Sequence, residues 1–190
     1  MAGKFQRTGD RTGAAQAADK ELIMNLYFMR HGIAVDRTSG RRSADRSRQL
    51  TPKGIKRINK AARGLVSLSL SFNRILTSPF ERARQTAKIV AQTLHSEDRL
   101  EEIQQLCPDQ SVEDLLSGLS AYAADKEILL VGHEPLLSRT MSFLLSATDG
   151  AEIQLKKGGL CCLEIDGVPA KKRAVLHWAL TPKQLRLLAR

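Results

Sequence analysis

Aromatic side chains are scarce in this chain: one Trp, two Tyr and five Phe among 190 residues. Platforms for stacking bases are therefore poorly supplied, which counts against nucleic-acid binding. Cysteine is scarcer still. Cys107, Cys161 and Cys162 are odd in number, and neighbours in a strand point to opposite faces, so no disulfide framework is expected. Their spacing with histidine does not resemble a zinc site, and no metal or cofactor is implied. Long apolar runs are missing as well. The best segments, Ile128–Val131 and Leu136–Leu145, fall short of the roughly 18 residues that span a bilayer. Residues 1–23 lack the apolar stretch of a secretory signal. Neither a membrane-spanning protein nor an exported disulfide scaffold is expected, and a reduced, cytoplasmic chain is.

Basic charge is what the chain has in excess, with 30 Lys and Arg against 20 Asp and Glu. The excess is local. Residues 36–63 hold Arg37, Arg41, Arg42, Arg46, Arg48, Lys53, Lys56, Arg57, Lys60 and Arg63 against only Asp36 and Asp45. Such a field attracts phosphates and acidic protein faces. Arg41 and Arg42 carry two readings: a solvated loop, or a device steering an acidic partner.

The apolar fraction of 42% and the length suit one domain, expected over residues 24–190 behind a flexible leader at 1–23. Met24, directly before the first strong strand, is a candidate native start. Asn25–Met29 reads as a buried strand. Thr51 as N-cap and Pro52 at the first helical position open a helix to about Val66, with Ile55, Ile58, Ala62 and Leu65 inward. Arg74–Thr77 reads as a strand. Ser78-Pro79 repeats the cap-and-proline signal, predicting a helix from Pro79 to Leu94 with Ala83, Ala87, Val90 and Ala91 inward. A strand within Arg99–Leu106, a helix over Val112–Ala124, a strand at Glu127–Val131 and a helix at Leu136–Leu145 follow. Strands at Leu160–Ile165 and Ala174–Leu180, joined by a turn near Asp166-Gly167, precede a short helix opened by Thr181-Pro182. Alternating strands and helices predict a three-layer α/β/α sandwich around a mostly parallel sheet.

Three segments lie at predicted strand ends, where ligands of open α/β sheets sit. They are Arg30-His31-Gly32, Ser78-Pro79-Phe80-Glu81-Arg82 and Gly132-His133. Together they offer two arginines and two imidazoles to one mouth. Guanidinium forks match phosphate oxygens two at a time, and a neutral imidazole can attack phosphorus. The N-termini of the helices starting at Pro79 and near Glu134 would add backbone donors. His95 reads as a helix C-terminal partner, His177 and Trp178 as strand packing, Glu81 and Arg84 as solvated, and Thr51 as a cap.

At these residues the chain resembles the histidine phosphatase superfamily, and within it the small phosphohistidine phosphatases of the SixA type. The resemblance rests on Leu26–Gly32, Leu50-Thr51-Pro52-Lys53-Gly54, Ser78–Thr86 and Val131-Gly132-His133-Glu134-Pro135, in the family's order and spacing. It implies a phosphoglycerate mutase-like fold. It also implies a nucleophilic His31 that forms a phosphohistidine, phosphoryl clamps at Arg30 and Arg82, and a second pocket imidazole at His133. Gly32 and Ser78 would join the phosphate-binding set, Gly32 keeping the backbone close beside His31 and its carbonyl holding the far ring nitrogen. The implied partner is a phosphohistidine-bearing signalling domain, with phosphate or a like anion in the pocket and no membrane. A small-molecule phosphomonoesterase of the same superfamily is the alternative. Larger members carry an acid that protonates the leaving oxygen. Glu102 and Asp109 lie in the corresponding region, but the local pattern around them matches poorly. An alkoxide needs such an acid, whereas imidazole, whose conjugate acid has a pKa near about 6.5, leaves without one.

Overall fold

The computed structural model describes residues 23–36, 45–148, 150–166 and 174–189. The leader, Arg41, Arg42 and the turn from Gly167 onward lie outside them, except that Ile23 belongs to the first strand. Six strands form one sheet: β1 (Ile23–Arg30), β2 (Arg74–Thr77), β3 (Leu100–Glu102), β4 (Glu127–Gly132), β5 (Leu160–Asp166) and β6 (Ala174–Leu180), in the order β3-β2-β4-β1-β5-β6. β3, β2, β4 and β1 run parallel, and β5 and β6 add antiparallel pairings beyond β1. The four parallel strands therefore release their C-termini at one edge of the sheet.

Among the described residues five α-helices flank it: α1 (Pro52–Ser67), α2 (Glu81–Thr93), α3 (Val112–Leu119), α4 (Leu136–Ser146) and α5 (Pro182–Leu188). Strand alternation sorts them into layers. Leu26 and Phe28 of β1 and Ile128 and Leu130 of β4 pack with α3 and α4. Tyr27 and Met29, with Leu129 and Val131, pack with α1, α2 and α5. Both faces of the central strands are buried, which is why these strands are almost continuously apolar. Cys161 and Cys162 fall into opposite cores, as their adjacency in β5 requires. The α/β/α sandwich expected from the sequence is thus the observed fold.

The differences in detail have local causes. Ile55 is 41% exposed, because the inward face of α1 follows Gly54, Ile58, Ala61, Ala62 and Leu65. Helix α2 starts at Glu81, and its N-cap Phe80 makes no side-chain cap bond. Ser78 does not cap it, since its hydroxyl is engaged elsewhere. Helix α3 ends at Leu119 and gives way to a 3₁₀ turn, while β3 keeps only three residues of the expected strand. β6 leaves Val175 and Leu176 59% and 49% exposed, so the helical layers do not cover that edge.

The entry to α1 bears on the site. Thr51 caps it, accepting from the Gly54 amide at 3.0 Å, and its own amide donates to the Ile33 carbonyl at 2.9 Å. A Cβ on Gly54 would stand 2.1 Å from that carbonyl oxygen. The loop after His31 is thereby pressed onto the helix start. Gly54→Ala is expected to cost about 1–3 kcal/mol, the usual penalty of forced overpacking. A urea midpoint unchanged by this substitution would contradict the contact.

Candidate active site

At the C-terminal edge of the sheet, His31 follows β1, Ser78 follows β2 and His133 follows β4. Their backbones are tied across the strand ends, with the His31 amide donating to Gly132 O and the Ser78 amide to Val131 O, both at 3.1 Å. The His31 and His133 rings face one another at 5.0 Å between centroids. Both are buried, at 6% and 2% exposure.

Hydrogen bonds assign the His31 tautomer. Arg82 Nε donates to His31 Nε2 at 3.2 Å, so Nε2 carries a lone pair. The opposite nitrogen, Nδ1, donates to Gly32 O at 2.7 Å. Burial foremost, then the positive charges of Arg82, Arg30 and Lys157, push the His31 pKa down to about 3 against the opposing bond to Gly32. The ring is therefore neutral at physiological pH, with its lone pair presented beside a guanidinium.

His133 is driven down to about 2, first by burial and then by His31, Arg82 and Arg30, with Asp45 opposing. Its Nε2 lies 2.9 Å from Ser78 Oγ. That oxygen also accepts the Phe80 amide at 3.3 Å and keeps a second lone pair, so the tautomer of His133 decides which of the two atoms donates. The other ring nitrogen, Nδ1, is buried with no hydrogen-bond partner among the described residues. Phe80 braces both groups, edge-on to His133 at 5.2 Å and beneath the Arg82 guanidinium at 5.1 Å.

Arg82, on the first turn of α2, also donates to Asp45 through its carbonyl at 2.7 Å and its carboxylate at 3.2 Å. Arg82 and Asp45 are both buried, and Arg48 reaches the same carboxylate at 2.8 Å. One turn along, Thr86 Oγ1 donates to Arg82 O and accepts the Gly32 amide at 3.0 Å, locking α2 to the loop beside His31. Arg30 points from the other face of β1. Its NH1 donates to Leu155 O at 3.1 Å, and its buried Nε has no hydrogen-bond partner among the described residues.

The structure thus gathers His31, Arg82, His133 and Ser78 into one cluster, with Arg30 beside it. Asp45, Thr86 and Phe80 join them without having been singled out from sequence. Glu102 and Asp109 are both exposed. Glu102 pairs with Arg84 at 3.5 Å in a separate groove with Glu81, Gln85 and Lys88. Outside the cluster, His177 is exposed and lies 3.1 Å from the Glu164 carboxylate, while Trp178 packs on Tyr27. His95 takes a positive φ of 51° just beyond α2.

A parallel-centred sheet of this order, with two imidazoles and two arginines at its carboxyl edge, is the phosphoglycerate mutase-like architecture. The sequence profile of the histidine phosphatase superfamily (branch 1) matches residues 26–106. An uncharacterized protein of Picosynechococcus is 40% identical over 139 residues, covering 72% of this chain and 82% of that protein. The phosphohistidine phosphatase SixA of Escherichia coli is 31% identical over 117 residues, covering 60% of this chain and 70% of SixA. The solved structure of the protein histidine phosphatase SixA complexed with tungstate superposes with a TM-score of 0.72 at 25% identity, over 85% of this chain and 99% of that one. The alpha-ribazole phosphatase of Shigella flexneri shares the fold, with a TM-score of 0.61 at 20% identity over 84% of this chain and 97% of that one. The chain belongs to the histidine phosphatase superfamily. It is similar to the SixA-type members, and these likenesses support a phosphatase activity. Among the described residues no helix is long and apolar enough to cross a membrane.

Proposed function

We propose that the chain removes phosphate from histidine on a partner protein, through a covalent phospho-His31 intermediate. The observation that carries the reading is the state of His31. A neutral imidazole with its lone pair on Nε2 and its proton tied to Gly32 O is an activated nucleophile that needs no separate base. In this mechanism Arg30 and Arg82 neutralise the phosphoryl oxygens. The mechanism uses the His133 tautomer with its proton on Nδ1, which donates to one of them and so pairs an atom that otherwise has no partner among the described residues. Nε2 attacks phosphorus, the bond to the leaving nitrogen breaks, and water then releases phosphate from His31. Asp45 orients Arg82 and gives way as phosphoryl oxygens take up the guanidinium.

Two features favour a nitrogen leaving group on a protein. The acids weighed from sequence, Glu102 and Asp109, are exposed, and Glu102 is committed to Arg84. An alkoxide would want such an acid, while imidazole departs without one. Helix α1 also carries Lys53, Lys56, Arg57, Lys60 and Arg63 on its exposed side and no acidic residue. Arg57 shares a groove with Arg30, Lys156 and Lys157, so the basic face runs up to the site and suits an acidic protein surface. Hydrolysis of small phosphomonoesters is the second reading, favoured by the cavity of about 580 Å³ beside Arg30.

Steady-state rates on a phosphohistidine-bearing phosphotransfer domain and on a metabolite phosphomonoester separate the two. The expected kcat/KM is at least about tenfold higher for the protein, a difference of roughly 1.4 kcal/mol in transition-state binding. The reverse order would establish the phosphomonoesterase.

A further inference from the structure

Alternation along β1 sends Arg30 and His31 to opposite faces of the sheet. His31 turns toward α2 and Arg82, whereas Arg30 turns toward α4 and the loop at 151–155. On that side lies an open cavity of about 580 Å³, lined by Arg30, Glu134, Ser138, Arg139 and residues 151–155, with Glu152 the other acid on its lining. Glu134 directly follows His133, is half-buried, and has no part in the chemistry described above. Its Oε2 accepts from the Ser138 hydroxyl. Its Oε1 is buried without a hydrogen-bond partner among the described residues. Buried oxygens of this kind are normally paired, so an unpaired acceptor on a residue lining a cavity fits a donor brought by a ligand.

We propose that Glu134 marks a leaving-group subsite that takes the imidazole ring of a phosphohistidine by its distal N–H. The inference rests on the phosphohistidine reading and specifies how the leaving group is recognised. Arg30 is common to both sides, so a phosphoryl group held there has its leaving group beside this cavity. The substrate ring enters protonated on its distal nitrogen, and that N–H donates to Glu134 Oε1. His31 Nε2 forms the new bond to phosphorus. The P–N bond breaks, and its electron pair stays on the departing nitrogen. The substrate imidazole leaves neutral, its distal proton still on the ring, and the positive charge passes to phospho-His31. A leaving group bearing a carboxylate would instead meet Glu134 as a like charge. Burial raises the Glu134 pKa, with Ser138 and Arg30 opposing, so binding of the ring is linked to pH through a group that also faces Arg30, Arg139 and Glu152.

Phosphoimidazole, phosphoglycolate and p-nitrophenyl phosphate are the probes. In Glu134→Gln the kcat/KM ratio of phosphoimidazole to p-nitrophenyl phosphate is expected to fall about tenfold or more, the scale seen when a built acceptor is lost. The ratio for phosphoglycolate should rise, a gain that general damage to the fold would not produce. Glu134→Asp, which keeps the carboxylate, should restore much of the preference. In the wild type, imidazole should inhibit p-nitrophenyl phosphate hydrolysis where phenol of similar size does not, a reading that needs no variant. Unchanged ratios in Glu134→Gln, or equal inhibition by imidazole and phenol, would overturn the subsite while leaving phosphohistidine hydrolysis standing. A wild type unable to turn over phosphoimidazole and the phosphorylated domain would overturn both.

Discussion

His31→Ala is expected to lower turnover on the order of 10⁴-fold or more, the scale on which removal of a nucleophile acts. Two oriented nitrogens vanish at once: Nε2, which faces Arg82, and Nδ1, which fixes the tautomer through Gly32 O. Phosphate binding should survive, because Arg30, Arg82 and His133 remain. With labelled substrate and rapid quenching, the wild type should yield an acid-labile, base-stable phosphoenzyme that the variant lacks. His133→Ala keeps the nucleophile and should still form that intermediate, on the order of 10²-fold more slowly, as expected when one oriented donor is lost. A phosphoenzyme in the His31→Ala protein would place the nucleophile elsewhere. Full turnover without any phosphoenzyme would replace covalent catalysis by direct attack of water. A phosphate-sensing or nucleic-acid-binding module on the same fold would instead show binding that survives His31→Ala and no turnover in the wild type.

The sheet and the main members of the cluster were legible because each depends on a short local signal. A run such as Leu26–Met29, buried on both faces, can be little else than a central strand. Its C-terminal edge is where Arg30 and His31 must then lie. Ser78 misled for a physical reason. Ser followed by Pro is a good helix start, but the side chain has a second use, and in this fold its hydroxyl bonds His133, so the helix begins at Glu81 uncapped. Asp45 was illegible because only its partner gives it meaning. Among so many basic residues it reads as a diluting charge, yet it is 4% exposed and holds Arg82 from 37 positions away. Thr86 looked like a helical threonine, and nothing in its neighbourhood announces that its hydroxyl accepts the Gly32 amide. Glu134 could have been suspected, since a carboxylate between the site histidine and a proline sits at the mouth of the sheet. Only the cavity and the unpaired, buried Oε1 distinguish it from a helix-terminal charge.

Stability should fall steeply on acidification, and the two buried imidazoles account for the fall. Their folded pKa values, about 3 for His31 and about 2 for His133, lie below the ordinary histidine value of 6.5. Between those limits the unfolded chain binds protons that the folded chain refuses, so stability rises with pH across this window. The contribution is complete above about pH 6.5 and is lost as pH drops toward 3. At pH 5 the loss is roughly 2 kcal/mol for each ring, from about 1.36 kcal/mol per pKa unit over the interval below 6.5. The rings lie 5.0 Å apart beside Arg82, so a proton on either one opposes a proton on the other. Urea unfolding of the wild type between pH 7.5 and 5 should therefore show a loss of several kcal/mol. The double variant His31→Asn, His133→Asn should recover much of that slope even if it starts less stable. A slope unchanged in the double variant would assign the acid sensitivity to carboxylates. The same depression keeps the Nε2 lone pair of His31 available at pH 5, so kcat/KM should not decline through protonation of the nucleophile while the fold persists. Activity lost with an apparent pKa near 6.5, ahead of unfolding, would show that His31 is solvated and chargeable in the working enzyme.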